Sequence, residues 1–304
     1  MLKKKPWIVA SKPVTIDRVI FADEKVRSAF QRYAAERSFP NLLLYGRPGT
    51  GKTSVSHALC HTTGVDSLDI LRINCSDEKI DAMRDKVKGF AFTYPIGTYK
   101  VVQLEEFDHL SLDAQALLRA LIDEAPDTCR FIATCNYINK VTPPLRSRFQ
   151  EYQFSAPNVE LVFERCIEIL EKQSVKFDPE DVVKVIDVAY PDFRKIIQLL
   201  EQNSTSGQLV LGSGEGAADW KLELLPILET GDFKTARKLV CEKANKEELQ
   251  EVYRFLYDHV TKISKLKGKE DQAVVLIAQY QYQHGFVSDG ELQIAALFVE
   301  LGAL

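Results

Sequence analysis

The chain predicts an α/β protein built on a parallel sheet and continued by helical segments. Three observations carry that expectation. The first half alternates short apolar runs with helix-spaced patterns, as a parallel sheet with crossover helices does. The run Asn41-Leu42-Leu43-Leu44-Tyr45 leads directly into Gly46-Arg47-Pro48-Gly49-Thr50-Gly51-Lys52-Thr53, and Ser54–Leu59 behind it starts a helix. Beyond Ala156 the strand signals fade, and apolar residues recur at helical spacing towards Leu304.

The strands expected are Asn41–Tyr45, Ile70–Asn74, Lys100–Leu104, Arg130–Thr134 and Glu151–Phe154. The helices between them are Lys52–Cys60, Asp77–Phe92 and Leu112–Glu124. Pro143-Pro144 and Pro157 punctuate the end of this part. Val159–Gln173, Asp178–Ala189 and Pro191–Gln202 then read as helices, with Pro179 and Pro191 suited to first turns. Ser204–Gly207 and Gly212–Gly216 read as a flexible connection. From Asp219 onward the pattern is helical again, including Lys234–Lys243, Glu247–Ser264 and Gln272–His284. The domains expected are therefore residues 1–155, 156–207 and 208–304. The chain's 304 residues suffice for two or three cores.

Composition is that of an ordinary globular protein, and no run is long enough to span a membrane. Lys3-Lys4-Lys5 has no apolar stretch behind it, so it is not a secretory signal. The six cysteines form no C-x-x-C pair, which points to reduced thiols in a cytosol-like compartment, without structural zinc. With 39 basic and 43 acidic residues the net charge is −4. Such a chain binds nucleic acid only through basic residues gathered on one face.

Gly46–Thr53 fits G-x-x-x-x-G-K-[ST]. A strand feeding a glycine-rich turn that opens a helix aims backbone N–H groups and a positive helix end at one point, where polyphosphate fits. Lys52 can reach the β- and γ-phosphates, and the Thr53 hydroxyl can ligate Mg²⁺. A second strand ends in Glu105-Glu106. In phosphate-loop ATPases a strand next to the loop strand ends in two acids, one organising Mg²⁺ and the next polarising the attacking water. The alternative is an acidic strand end facing solvent. A third strand ends at Asn136, either beside a γ-phosphate or simply turning the chain. Arg146 and Arg148 precede the last strand, where an arginine can reach a neighbouring subunit's nucleotide or make a surface ion pair. Arg194 begins a helix from which it can fold over the phosphates.

At these residues the chain resembles the AAA+ clamp-loader ATPases, motor subunits that open ring-shaped sliding clamps for DNA polymerases. The resemblance spans about residues 7–202. Trp7–Pro13 keeps the spacing of the family's W-x-x-K-Y-R-P, and Thr15-Ile16-Asp17 follows it. Ala114–Arg119 looks like A-Q-x-A-L-R, Asn74-Cys75-Ser76-Asp77 like N-x-S-D, and Ser147-Arg148-Phe149 stands where S-R-C is usual. Pro191-Asp192-Phe193-Arg194-Lys195 resembles the lid's arginine motif and is most like the large subunit of bacteriophage loaders.

The resemblance implies a P-loop AAA+ parallel sheet, a helical lid and an all-α collar for oligomerisation. It implies ATP and Mg²⁺, with nucleotide contacts at Val9, Ser11, Ile20, Gly49, Thr50, Gly51, Lys52, Thr53, Ser54 and Arg194. Thr53 and Glu105 would hold the metal, Glu106 would orient water, Asn136 would sense the γ-phosphate, and Arg148 would be an arginine finger. Lys79 and Arg84, at the start of the Asp77–Phe92 helix, would face DNA; a solvated helix face is the alternative, since acids are interleaved. Lys79 would also hold Glu106 away from water until DNA arrives. Partners implied are a sliding clamp, primer–template DNA and companion subunits in a pentamer, in the cytoplasm of the cell, or of the host for a phage protein. Two departures stand out: Glu105 replaces the usual Asp, and Ala10, Ser11 and Lys12 replace Lys, Tyr and Arg. Rivals are another AAA+ DNA motor, such as a helicase loader or branch-migration ATPase, and a scaffold that binds ATP without hydrolysing it.

Overall fold

A computed structural model describes residues 5–77, 80–205, 207–211 and 220–304. The chain forms two compact units, Met1–Ile169 with Pro191–Ile197 and Leu170–Tyr190 with Gln198–Leu304.

The first unit runs α1 (Trp7–Ala10), α2 (Glu24–Glu36), β1 (Leu42–Gly46), α3 (Lys52–Thr63), β2 (Ile70–Asn74), α4 (Ile80–Ala91), β3 (Lys100–Glu105), α5 (Leu112–Glu124), β4 (Cys129–Cys135), α6 (Pro143–Arg146) and β5 (Gln150–Phe154), then enters α7 (Val159–Lys172). The five strands are all parallel, in the order β2-β3-β4-β1-β5. The strand with the two acids is thus not the neighbour of the loop strand, as the general pattern predicts: β4 lies between them. Pairing of Tyr45 with Cys135 and of Leu104 with Ala133 ends β1, β3 and β4 at one edge.

Side chains alternate across this sheet, and both faces of its three central strands are covered, which explains why β1, β3 and β4 read as nearly continuous apolar runs, while the edge strands β2 and β5 carry Arg72, Gln150, Glu151 and Gln153. Leu42, Leu44, Val101 and Ile132 pack with Phe30 and Tyr33 of α2 and Val55 and Leu59 of α3. Leu43, Val102, Phe131 and Ala133 pack with Met83 and Val87 of α4 and Leu118 and Leu121 of α5. Helix α2 is absent from the expectations above, although its signals are present: Asp23 accepts from Lys25 N at 2.7 Å as an N-cap, and Val26, Phe30 and Tyr33 share one face.

Buried polar groups tie the layers together. Gln103 of β3 donates through Nε2 to Ser56 Oγ of α3 at 2.8 Å and accepts from Arg72 Nε at 2.9 Å. Gln115 of α5 donates to Leu110 O and Lys140 O and accepts from Thr142 N at 2.8 Å. Asp69, 1% exposed, accepts from Ile96 N and Gly97 N and fixes the loop between α4 and β3.

The second unit contains α8 (Pro179–Ala189), the second half of α9 (Phe193–Gln202), and α10 (Trp220–Glu229), α11 (Phe233–Lys243), α12 (Leu249–His259), α13 (Glu270–His284) and α14 (Gly290–Ala303). Two expectations are corrected here. Ser204–Thr205 is not a flexible connection but β6, paired antiparallel with β7 (Gln208–Leu209); strands this short show no alternation in sequence. Gly212–Gly216, the other half of the expected connection, lies outside the described residues. The helix expected over Glu247–Ser264 stops at His259, where the backbone leaves helical geometry (φ −112°, ψ 6°) and 3₁₀ turns follow. Its imidazole there bridges Phe255 O and Asp187 O, at 2.8 and 2.7 Å.

Candidate active site

Every parallel strand of the first unit delivers its following loop to the same sheet edge, and the cleft lies there. It measures about 260 Å³. The phosphate-binding loop forms its floor. Gly51 adopts φ +89°, open to glycine and strained for other residues. Gly49 sits so close to Asp192 that a Cβ would meet its Oδ1 at 2.3 Å. Asp192 in turn caps α9, accepting from Arg194 N at 3.0 Å and Lys195 N at 3.2 Å. One close approach therefore sets the loop and the arginine-bearing turn side by side, and Arg194 lines the cleft.

Lys52, 8% exposed, donates through Nζ to Gly46 O and Arg47 O at 2.9 and 2.8 Å. Burial lowers its pKa to about 8, with Arg194 adding to the fall and Cys135, Asp108 and Asp192 opposing it.

Glu105, Glu106 and Asn136 all line the cleft. Glu106 holds a left-handed conformation (φ 55°, ψ 43°), uncommon outside glycine. His57 chiefly, then Arg72 and Lys12, holds the Glu105 carboxyl below its usual range against the opposing effect of burial. Thr53 and Glu105 contribute hard oxygen donors to one wall. That set fits a Mg²⁺ that arrives with phosphate oxygens and keeps part of its water shell, which needs only one or two protein ligands.

Of the nucleotide contacts expected, Ser11, Gly49, Gly51, Lys52, Thr53, Ser54 and Arg194 line the cleft. Val9, Ile20 and Thr50 are not among its lining residues. Successive side chains diverge by about 100° on a helix; Ile8 of α1 faces the cleft, and Val9 is 49% exposed. The Thr50 hydroxyl turns inward to donate to Arg47 O at 2.9 Å. Arg148 also lies outside the cleft, paired with Asp123 at 2.9 and 3.0 Å. Arg146 is likewise paired with Glu151. Arg84 is exposed on α4; Lys79 lies outside the described residues.

Sequence reasoning missed Asp108. Its buried carboxylate accepts from Asn136 N at 3.3 Å and Tyr137 N at 3.2 Å, tying the turn after the two acids to the end of β4. The acid three residues past Glu105 was the available signal. Phe193 and Ile197 also line the cleft and carried no signal beyond helical spacing.

Comparison with known proteins gives this geometry a family. The model of the AAA family, ATPases associated with various cellular activities, matches residues 42–156. The replication factor C small subunit of Archaeoglobus fulgidus is 33% identical over 245 residues, 77% of this chain and 76% of that one. The chain belongs to the replication factor C small-subunit family, the clamp-loader AAA+ ATPases of DNA replication. The Sulfolobus acidocaldarius small subunit is 29% identical over 97% of this chain and 95% of its own, so family likeness extends through the helical second unit. Among solved structures, the Thermotoga maritima RuvB Holliday junction branch migration motor superposes with a TM-score of 0.58 at 16% identity, covering 81% of this chain and 79% of that one. That likeness is one of fold alone.

Two predictions follow from the cleft. At pH 9 much of Lys52 is neutral before ATP binds, and the triphosphate's charge restores its proton. Binding should then take up close to one proton, with affinity falling up to about tenfold per pH unit above pH 8. Calorimetry in buffers of different ionisation enthalpy reads this; ATP itself is fully ionised there, so absence of uptake contradicts it. Secondly, Glu106→Gly should raise unfolding free energy by about 1 kcal/mol by relieving the left-handed backbone, while ending hydrolysis. A denaturant midpoint no higher than that of the parent chain would show the conformation to be unstrained.

Proposed function

We propose that the protein is an ATP-driven motor subunit that opens a sliding clamp and loads it onto primer–template DNA, hydrolysing ATP at interfaces between subunits. The observation that carries this reading is the meeting of a phosphate-binding loop, two consecutive acids, Asn136 and Arg194 in one cleft of a clamp-loader-family chain. Lys52 and Arg194 neutralise the triphosphate. Thr53 and Glu105 would hold a Mg²⁺, which would supply Lewis-acid stabilisation of the phosphate charge. Glu106 takes a proton from the attacking water as its oxygen bonds the γ-phosphorus and the bond to the β-phosphate oxygen breaks, leaving ADP and phosphate. Asn136 orients that water. Arg148 leaves Asp123 to enter the neighbouring subunit's site, a role worth about 10³–10⁵ in rate in related systems.

The three-part organisation, an ATPase domain over 1–155, a lid over 156–207 and a collar over 208–304, belongs to the same proposal. Helix α14 supports the collar. It buries Ile294, Leu297, Phe298 and Leu301, yet leaves Leu292 and Val299 exposed at 69% and 55%, and a helix apolar on both sides suits an assembly interface. From Trp220 to Leu304 the elements are all helical, which favours a loader over a branch-migration motor ending in a winged-helix domain. The exposed run Phe92, Tyr94 and Ile96, anchored by Asp69, supports docking of the clamp. Arg84 supports sequence-independent contact with DNA phosphates. Among the described residues no helix is long and apolar enough to cross a membrane, and we place the assembly in the cytoplasm.

The first test is retention of a candidate clamp together with its companion subunits, followed by ATPase assays with and without primed DNA. Turnover should rise with clamp and DNA, and Glu106→Gln should keep ATP binding while stopping it. Wild-type turnover by Glu106→Gln, with Glu105→Gln inactive, would exchange the two roles; no turnover by any assembly would favour the non-hydrolysing scaffold. The finger is tested by mixing. Arg148→Ala subunits combined with Lys52→Ala subunits should regain part of the activity that neither has alone, because some neighbours pair an intact ATP site with an intact arginine. Activity no greater than that of the separate variants would assign Arg148 to its own subunit's site, and full activity of Arg148→Ala alone would leave it a surface ion pair.

A further inference from the structure

Thr53 and His57 stand four residues apart on α3, and therefore on one face of that helix. Gln103 and Glu105 stand two apart on β3, and therefore on one face of that strand. The two faces meet. Gln103 donates to Ser56 Oγ at 2.8 Å, and beside it His57 Nε2 lies 3.4 Å from Glu105 Oε1. That separation is within ion-pair reach and longer than a typical hydrogen bond, and among the described residues Nε2 has no well-formed hydrogen bond. A carboxylate oxygen only accepts, so the tautomer that suits this contact carries its proton on Nε2.

We propose that His57 is a positioning residue for Glu105: it holds one carboxylate oxygen against α3 and leaves the other turned toward the Thr53 hydroxyl, where a Mg²⁺–nucleotide is received. The proposal rests on the reading of Glu105 as the metal-organising acid. It also accounts for the departure at this position. An aspartate would end about 1.5 Å short of Glu105's reach, the length of one carbon–carbon bond, and would not meet His57. The longer acid brings an extra rotatable bond, and a fixed neighbour removes the freedom that bond adds. Partners that orient metal-binding carboxylates act in this way in other metal sites.

The test is equilibrium binding of ATP by calorimetry on the full chain, across a range of Mg²⁺ concentrations and in excess chelator. His57→Ala should raise the Mg²⁺ concentration that half-restores tight ATP binding by about tenfold, the low end of what loss of such a partner costs. Affinity in chelator should stay unchanged, and His57→Gln, whose amide nitrogen can also donate, should recover most of the loss. In the Glu105→Asp background His57→Ala should add nothing, because the shorter acid no longer touches it. An equal loss with and without Mg²⁺ would make His57 a purely structural residue and overturn the proposal, as would no shift at all or the same cost in the Glu105→Asp background. Glu105→Ala checks the underlying reading separately. If it keeps the full Mg²⁺ enhancement, Glu105 is not the metal-organising acid and both readings fall; if it loses the enhancement while His57→Ala does not, only the role of His57 falls. Unchanged melting temperatures identify the variants as folded.

Discussion

The parallel register of β3, β4 and β1 is the constraint on which the cleft depends. Because all three strands run the same way and end nearly level, the loops after Gly46, Glu105 and Cys135 leave the sheet at one edge. A slip of one residue in any of these pairings would turn every side chain of that strand to the opposite face and carry its terminal residue away from the edge. Insertion of β4 between the loop strand and the acid strand has its own consequence. Asn136 emerges between the phosphate loop and the two glutamates, and Asp108 holds it there through backbone N–H groups instead of through its side chain. In the proposed mechanism this leaves the Asn136 side-chain amide to meet the attacking water.

Several energetically unfavourable features gather at that edge. Lys52 is a cation in a mostly buried position, Glu106 has a left-handed backbone, and Gly49 approaches Asp192 more closely than any other residue type would permit. The surrounding core maintains all three. Leu42, Leu43 and Leu44 are fully buried on alternating faces immediately before the loop, and Phe107 is fully buried immediately after Glu106. Strained or desolvated groups flanked by rigid packing are what a site preorganised for a polyanion requires.

Fold and family separate here in an instructive way. A branch-migration motor shares the architecture at 16% identity, whereas the replication factor C small subunit of Sulfolobus acidocaldarius shares sequence along nearly the whole chain. The sheet with its phosphate loop is common to many motors; the resemblance to the clamp loaders rests on the order of Trp7, Asn74, Gln115, Arg148 and Arg194 along the chain. Those residues also depend on local contacts within the first unit: Gln115 is fully engaged by three backbone partners, and Arg148 by Asp123 and Pro144 O.

The sequence by itself determined the five strands, the helices that cross between them and the chemistry of the loop, because each rests on a local rule: apolar runs for strands buried on two faces, helical spacing for amphipathic helices, and glycines at set positions around a phosphate nest. Glu105, Glu106, Asn136 and Arg194 were legible as well, since each terminates or opens such an element. Strand order was not legible, because pairing between β3 and β4 joins residues about thirty apart and leaves no periodic trace. Nor were the hold of Asp108 on the backbone of Asn136, the choice of Ile8 over Val9, and the approach of His57 to Glu105, which exist only once α1, α3, β3 and β4 are packed. The β6–β7 hairpin escaped for the opposite reason: two residues per strand are too few for alternation to register, and the long-range pairing with Lys176 supplies what propensity does not. Local physics wrote the elements and the reactive groups; the tertiary structure decided which of those groups face one another.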